Sequence, residues 1–238
     1  MVVSFTVVRY PKRYIPLAFL AMAIHRLPLA LNRSCSFWKL MGSGNKGSFD
    51  LTPDLRQWAL LASWESEEAF YRFHSSSFIG RWWKTLALES WTILCSPIAG
   101  HGQWDGRAPF EYDSSLAGYK GPLAVLTRAT IRPARLRNFW SNVGSVSSIM
   151  SAASGYIQSF GVGEAPVYKQ ATFSLWKSSE EMKNFAYASQ EHREVIRKTR
   201  EEGWYSEELF ARFKPIATLG SIGGRNFSTE LFDLTSIS

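Results

Sequence analysis

Runs in which apolar residues dominate or alternate are separated along this chain by stretches with helical spacing, and the succession occurs twice. In the second half, Leu123 to Ile131, Gly155 to Val162, Val167 to Trp176 and Glu208 to Ile216 are rich in β-branched and aromatic residues and predict strands. Pro133 to Met150 and Ser178 to Arg200 predict helices. Pro133 suits a first helical turn, where its missing N–H costs nothing. Ser178 or Ser179 can cap the second helix, with Glu180 and Glu181 in its positive first turn. The first half contains VVRYPKR, FWKLMGSGN, QWALLASWESEEAFYRF and WTILCSPIAG; the second answers with ATIRPAR, YIQSFGVGE, YKQATFSLWKSSEEMKNF and LFARFKPIAT. Pro11 and Arg13 fall on Pro133 and Arg135, Gly42 and Gly44 on Gly161 and Gly163, Trp64 on Trp176, Phe73 on Phe185, and Pro97 on Pro215. Strand-end and turn residues recurring by chance would not keep order, spacing and type together, so the pattern predicts an internal duplication.

Each half then reads strand, helix, strand, strand, helix, strand, which is the ferredoxin-like order. Such a unit has helices on one face of its sheet and needs a cover for the other. The predicted fold class is therefore α+β: two fused ferredoxin-like units packed sheet to sheet as a single-chain dimeric α+β barrel. The expected divisions are an N-terminal unit over 1–100, a linker over 101–121, a C-terminal unit over 122–218 and a tail over 219–238. A linker of that length is acceptable between units, though not inside one. The paired Gly-x-Gly segments lack phosphate-loop spacing and read as bends ending strands.

Composition narrows the function classes. With 238 residues, 45% hydrophobic and 15% aromatic, the chain can bury an ordinary core. Cys35 and Cys95 suggest neither a disulfide scaffold nor a thiolate zinc cage, which suits a reducing cytoplasm. The net charge of +7 favours anionic partners such as acidic lipid headgroups, nucleic acid or carboxylate-bearing cofactors, without choosing between them. The basic residues form no contiguous polybasic arm, and a nucleic-acid partner is not expected. Tyr14 to Leu31 holds His25 and Arg26 and is cut by Pro16 and Pro28. Spanning a bilayer takes about 20 unbroken apolar residues, so this stretch is expected to be a buried core helix. No basic leader or clear cleavage site marks a signal peptide. The expected location is the cytoplasm, with peripheral contact at the inner membrane left open.

In a duplicated chain the unshared residues are free to answer to function. His192 falls on Gly80, and Arg193 on Arg81. Phe185, Ala188, His192, Val195, Ile196 and Thr199 recur at three or four residues, which turns the imidazole toward an apolar face. A neutral imidazole there can hold haem iron if its other nitrogen donates a hydrogen bond. On spacing alone, a core histidine satisfied by one hydrogen bond is the stronger reading. His25, His74 and His101 form no paired metal motif. Arg128 and Arg132 lie in LTRATIRP. A buried arginine is costly unless paired, so Arg128 either meets an anion in a pocket or faces solvent. Lys39, Tyr168 and Gln170 are lesser candidates of the same kind. Trp38, Trp82, Trp83, Trp91, Trp140, Trp176 and Trp204 line either a pocket or a core.

FWKLMGSG, LTRATIRP with NFW, GVGEAPVYKQATFSLW, and the set Phe185, His192, Ile196, Arg197, Trp204, Glu207 to Leu209 and Ala211 to Phe213 together resemble the spheroidene monooxygenase family. The resemblance covers about Phe37 to Phe213. It implies a haem b enzyme that inserts oxygen at C-2 of an acyclic carotenoid, giving a hydroxyl and then a ketone. It makes His192 the iron ligand, gives Arg128 to a bound oxygen species and Arg132 to a propionate, and sets Trp176, Trp204 and Gln170 about the cofactor. An apolar substrate, dioxygen or peroxide and an electron donor are the implied partners; a homo-oligomer stays open. Fold analogy with chlorite dismutase and aldoxime dehydratase puts the ligand histidine in the second unit, but fold does not fix the reaction. Aldoxime dehydration, nitrogen-group oxidation, a non-catalytic haem carrier or sensor, and a cofactor-free monooxygenase-like barrel remain alternatives. The basic N-terminal region and GNKGSFDLTPD depart from the family and would reshape the entrance.

Overall fold

The structure is a computed structural model that describes residues 1–44, 52–165, 167–188, 197–199 and 201–232, with the backbone alone for 143–147. Its eight strands are β1 (Val2–Arg9), β2 (Cys35–Gly44), β3 (Pro53–Trp64), β4 (Glu89–Gly102), β5 (Leu123–Ile131), β6 (Tyr156–Ala165), β7 (Lys169–Trp176) and β8 (Tyr205–Ser221). They close a barrel in the order β1-β3-β2-β6-β7-β5-β8-β4, with antiparallel neighbours throughout. The first unit adds α1 (Ile15–Ile24), α2 (Arg26–Leu31), α3 (Glu67–Ser76) and α4 (Phe78–Leu86); the second adds α5 (Leu136–Ala152) and α6 (Ser179–Ala188).

Local chemistry explains several of these boundaries. Ser66 and Ser77 accept hydrogen bonds from the N–H groups of Ala69 and Gly80 and so cap α3 and α4. Ser178 does the same for Glu181 ahead of α6. Pro133 opens a single 3-10 turn that leads into α5.

The duplication is visible in the seams where the units meet. Gly42 pairs with Gly163 across β2 and β6, and both stand on the same rung of their own units, Gly42 beside Trp58 and Gly163 beside Gln170. At the other seam Pro97 pairs with Phe213 and Cys95 with Pro215. Each contact is the other with the units exchanged, as a twofold relation requires. The glycines are therefore paired seam residues within strands rather than bends that end them. Rung by rung, Gly42 corresponds to Gly163, two residues from the Gly161 expected by sequence registration.

Alternate residues of every strand point inward and fill the barrel. Phe5 of the first unit stacks on Phe173 of the second with ring centroids 4.2 Å apart. The linker is not a loose tether, for β4 extends to Gly102 and the following residues bury Trp104 and Phe110 in the interior. The tail adds Ile222, Phe227 and Leu231 to the same core. Trp91, at the start of β4, donates to the carbonyl of Asn226 in the tail, while Trp104 follows the end of β4. Linker and tail thus close opposite mouths. The expected core helix at Tyr14–Leu31 lies instead on the surface, with only Ala18, Ala21, His25 and Leu29 buried. Its prolines and charge were weak guides to burial, because one face packs on the sheet and the other packs on nothing.

Candidate functional site

The barrel interior is full, and the hollow of about 340 Å³ beside the tail, between Gly220, Arg225, Asn226 and Glu230, is polar, which leaves the space between a sheet and its helices for an apolar ligand. The two units differ there. On the helix-facing side of the first sheet the middle rung is Leu40, Leu60, Thr6 and Thr92. Leu40 and Leu60 pack with Ala18, Leu29, Phe70, Ile79 and Trp83 from α1 to α4, and Thr6 is 1% exposed. The cavity left, between Tyr10, His25, Leu40, Leu60 and Trp83, has a volume of about 20 Å³. That is room for roughly one water molecule.

The corresponding rung of the second sheet is Gly161, Thr172, Thr127 and Phe210. It is flanked by Ser159, Ser174, Val125 and Arg212 on one side and by Gly163, Gln170, Ala129 and Glu208 on the other. Val125 packs with Met150 of α5 and Met182 of α6, which identifies this as the helix-facing side. Two leucines of the first unit are here a glycine and a threonine. Thr127, on a strand flanked by β7 and β8, is exposed, while Thr172 and Ser174 beside it are buried.

Apolar clusters bound the floor at both ends. Trp176 stacks on Phe185 at 5.2 Å and donates to Ser174 Oγ at 3.0 Å. At the far end Trp204 packs with Ile131 and Phe139 and donates to Glu202. Val125 and Ile131 are six residues apart, about 20 Å at ~3.3 Å per residue. Gly161, Thr172 and Thr127 keep the sheet low between the aromatic walls, with Phe210 standing on the β8 side where the first unit has Thr92; a planar macrocycle can lie against the low strands, so the residues present fit a haem.

The expected site residues divide accordingly. Trp176, Trp204 and Gln170 all border or form the floor, with Gln170 half-buried beside Gly163. Arg132 is exposed at the rim, where its backbone N–H bonds the carbonyl of Trp204 and its Nε the carbonyl of Tyr205. Tyr168 is exposed near the same end. His192 lies outside the described residues. Gly80, its counterpart in the sequence registration, is packed so that an added Cβ would stand 2.1 Å from the carbonyl oxygen of His74. Among the described residues, no three His, Cys, Asp or Glu side chains gather as a metal site.

Arg128 requires a correction. Strand alternation turns it away from the floor and into the barrel, where it is 1% exposed. It pairs with Glu207, approaches Glu164 at 3.7 Å and Asp105 at 3.8 Å, and lies 5.2 Å from the Trp104 ring centroid. Lys39, another expected candidate, belongs to the same network through Asp105 and Glu164. Burial alone would raise the Asp105 carboxyl, but Lys39 and Lys169 outweigh it and hold it down at about 2. Burial likewise works against the Glu207 carboxylate, yet the N–H groups of Gly106 and Asp105 and the Arg128 guanidinium lower its pKa. These groups clamp the linker over one mouth.

The arginine on the floor side is Arg212, cross-strand from Val125, half-buried and without an ion pair or hydrogen bond among the described residues. Sequence reading passed over it, although the alternation in LFARFKP separates Leu209, Ala211 and Phe213, which point inward, from Phe210 and Arg212. The floor residues Thr127, Thr172 and Ser174 were also missed. Part of the signal was present in the duplication, as hydroxyl residues Thr172 and Ser174 where the first unit has Leu60 and Ala62.

No family model matches the chain. A spheroidene monooxygenase of Rhodobacter capsulatus is 32% identical over 213 residues, 89% of this chain and 88% of that protein. Another, from Cereibacter sphaeroides, is 36% identical over 206 residues; the match takes in 86% of this chain but only 62% of that relative's length. Two solved structures of aldoxime dehydratase, one with butyraldoxime, superpose with a TM-score of 0.63 over 90% of this chain and 79% and 81% of theirs. Their identities of 11% and 12% make this a likeness of fold alone.

Proposed function

Because the chain belongs to the spheroidene monooxygenase family, we propose that it is a haem-dependent monooxygenase that hydroxylates an apolar substrate, an acyclic carotenoid, at C-2 and oxidises it further to the ketone. The observation that carries this reading is the floor of the second unit, where Gly161 and Thr172 stand in place of Leu40 and Leu60 and Thr127 beside them is exposed. His192 would hold the iron and Arg132, at the rim, a propionate. Haem supplies the activation of dioxygen or peroxide, which no protein side chain provides.

The chain's own residues supply placement and a dry surface. Trp176, Phe185, Trp204 and Phe139 form apolar walls that exclude water and suit a polyene. The hydroxyls of Thr127, Thr172 and Ser174 are the hydrogen-bonding groups of an otherwise low floor. Arg212 takes the part expected of Arg128: a cation on the correct side of the sheet, able to meet a carboxylate or the negative charge gained as oxygen is reduced. An electron donor completes the balance when dioxygen is the oxidant.

Purified protein loaded with haem should show a Soret band that His192→Ala weakens or moves; an identical spectrum would reject the ligand. Expression in cells making acyclic carotenoids should give hydroxylated and keto products. Full haem loading without either product would reject the substrate while leaving the haem site standing.

A further inference from the structure

The outermost layer of the first unit is α1 followed by α2, and it has apolar surface on both sides. Ala18, Ala21, His25 and Leu29 face the sheet. On the solvent side Phe19, Leu20, Leu27 and Leu31 are 47, 48, 65 and 71% exposed. Leu55, near the Trp58 that Phe19 touches, and Phe78, beside His25, continue this patch at its two ends. A helix apolar all round belongs in a core or a membrane. Scattered exposed leucines need no explanation, but a contiguous apolar patch marks an interaction surface.

Charge identifies the partner. Of the 27 Lys and Arg residues, seven precede Asp50, the first acidic residue, leaving 20 basic and 20 acidic residues in the remainder. The whole excess of +7 thus belongs to the segment that carries the patch, rather than being spread along the chain. Lys12, Arg13, Arg26 and Arg33 are exposed on and beside the two helices. The nearest acids are largely answered, Asp54 by Arg9 at 3.5 Å and Glu65 by Arg72 at 3.9 Å, while Glu67 and Glu68 open α3.

We propose that α1 and α2 are a membrane-docking surface that lies in the plane of an anionic bilayer, with Phe19, Leu20, Leu27 and Leu31 among the acyl chains and Lys12, Arg13, Arg26 and Arg33 at the headgroups. Lys12–Leu31 is long and apolar enough to cross a membrane by composition. Crossing, however, would strip Ala18, Ala21, His25 and Leu29 from the sheet, whereas lying flat keeps that packing and covers the exposed side. The inference does not depend on the chemistry proposed above. It gives that chemistry a source, because a polyene substrate dissolves in the bilayer.

The test is co-sedimentation of the full chain with vesicles of phosphatidylcholine alone or mixed with phosphatidylglycerol. Binding should require the anionic lipid and weaken with salt. Replacing Lys12, Arg13 and Arg26 together by Gln should lower partitioning on the order of a hundredfold, since each cation near an anionic leaflet is worth about fivefold. The triple change Phe19→Ser, Leu27→Ser and Leu31→Ser touches exposed positions, so circular dichroism should be unchanged while partitioning falls about tenfold or more. Equal sedimentation with both vesicles overturns the proposal, as does undiminished binding of the serine variant. So does a dimer in solution that the serine variant dissolves while vesicle binding persists, because the patch then serves a second copy. Resistance of the bound protein to an alkaline wash would replace docking by spanning.

Discussion

Leu40 and Leu60 in one unit and Gly161 and Thr172 in the other occupy equivalent positions, and that exchange separates a packed layer from a place for a ligand. Because Thr127 is exposed, a larger side chain there should fill the site without forcing the sheet apart. Thr127→Phe is expected to keep or raise the melting temperature and to lower kcat/KM by about tenfold or more, roughly 1.4 kcal/mol of barrier. Unimpaired turnover would move the site elsewhere. The two arginines give a contrasting pair. While Asp105 and Glu164 keep Lys39 and Lys169, Arg128→Met leaves Glu207 without its cation in a partly buried setting, which costs about 1–3 kcal/mol in chemical denaturation. Arg212 has no such partner among the described residues, so Arg212→Gln should change stability little and lower turnover about tenfold; the reverse pattern would restore Arg128 to the site. The choice between them was visible in the sequence only as strand parity. Arg128 in LTRATIRP gives no indication which side faces the helices until its register with Ala171 and Leu209 is known.

At the scale of elements, strand β5 matches its expected span, Leu123 to Ile131, because the apolar run Leu123–Leu126 opens it and Arg132-Pro133 stops it. Strand β8 runs beyond the expectation, from Tyr205 to Ser221, since none of its outer residues is buried and Ser206, Glu207, Gly220 and Ser221 carry little strand signal. The linker looked polar because most of it is, yet Trp104 and Phe110 decide where it goes. The helix pair α1 and α2 was the clearest misjudgement, and its docked face makes a prediction of its own. His25 is buried there against the edges of Trp82 and Trp83, with Nε2 unpartnered, and burial holds its pKa down to about 4 from 6.5. The folded state therefore keeps the ring neutral while the unfolded chain takes up a proton. Stability is full above about 6.5 and is lost as pH falls toward 4. Tyr10, which lines the same cavity, is pushed up to about 12 and does not titrate in this window, whereas His74 on α3 is also lowered by burial and adds to the slope. Melting temperatures of the wild type should fall between pH 6.5 and 4, and those of His25→Leu should fall less. Parallel curves would mean that the imidazole is hydrated or charged in the folded state.

The whole molecule behaves as one closed object rather than as two joined domains. Each unit contributes four strands, and closure removes the edges that a lone unit would expose along β2 and β4 or β6 and β8. The interior is shared: Phe5 lies against Phe160 and Phe173, and the tail of the second unit seats Phe227 against Trp91 of the first. Sequence repetition made the two units visible, but it could not show that each keeps a helix-facing cluster of its own while the barrel interior is common to both. A chain cut in the linker region after Gly118, where an added Cβ would meet nothing within 4 Å, should therefore yield halves that aggregate or self-associate alone. Mixed during refolding, the same halves should recover the native spectrum through the β2–β6 and β4–β8 seams. Calorimetry of the intact chain should show one transition whose van't Hoff and measured enthalpies agree. Two separate transitions, or a second half that stays monomeric and folded by itself, would mean that the seams are contacts between finished domains and that the twofold barrel is an assembly rather than a fold.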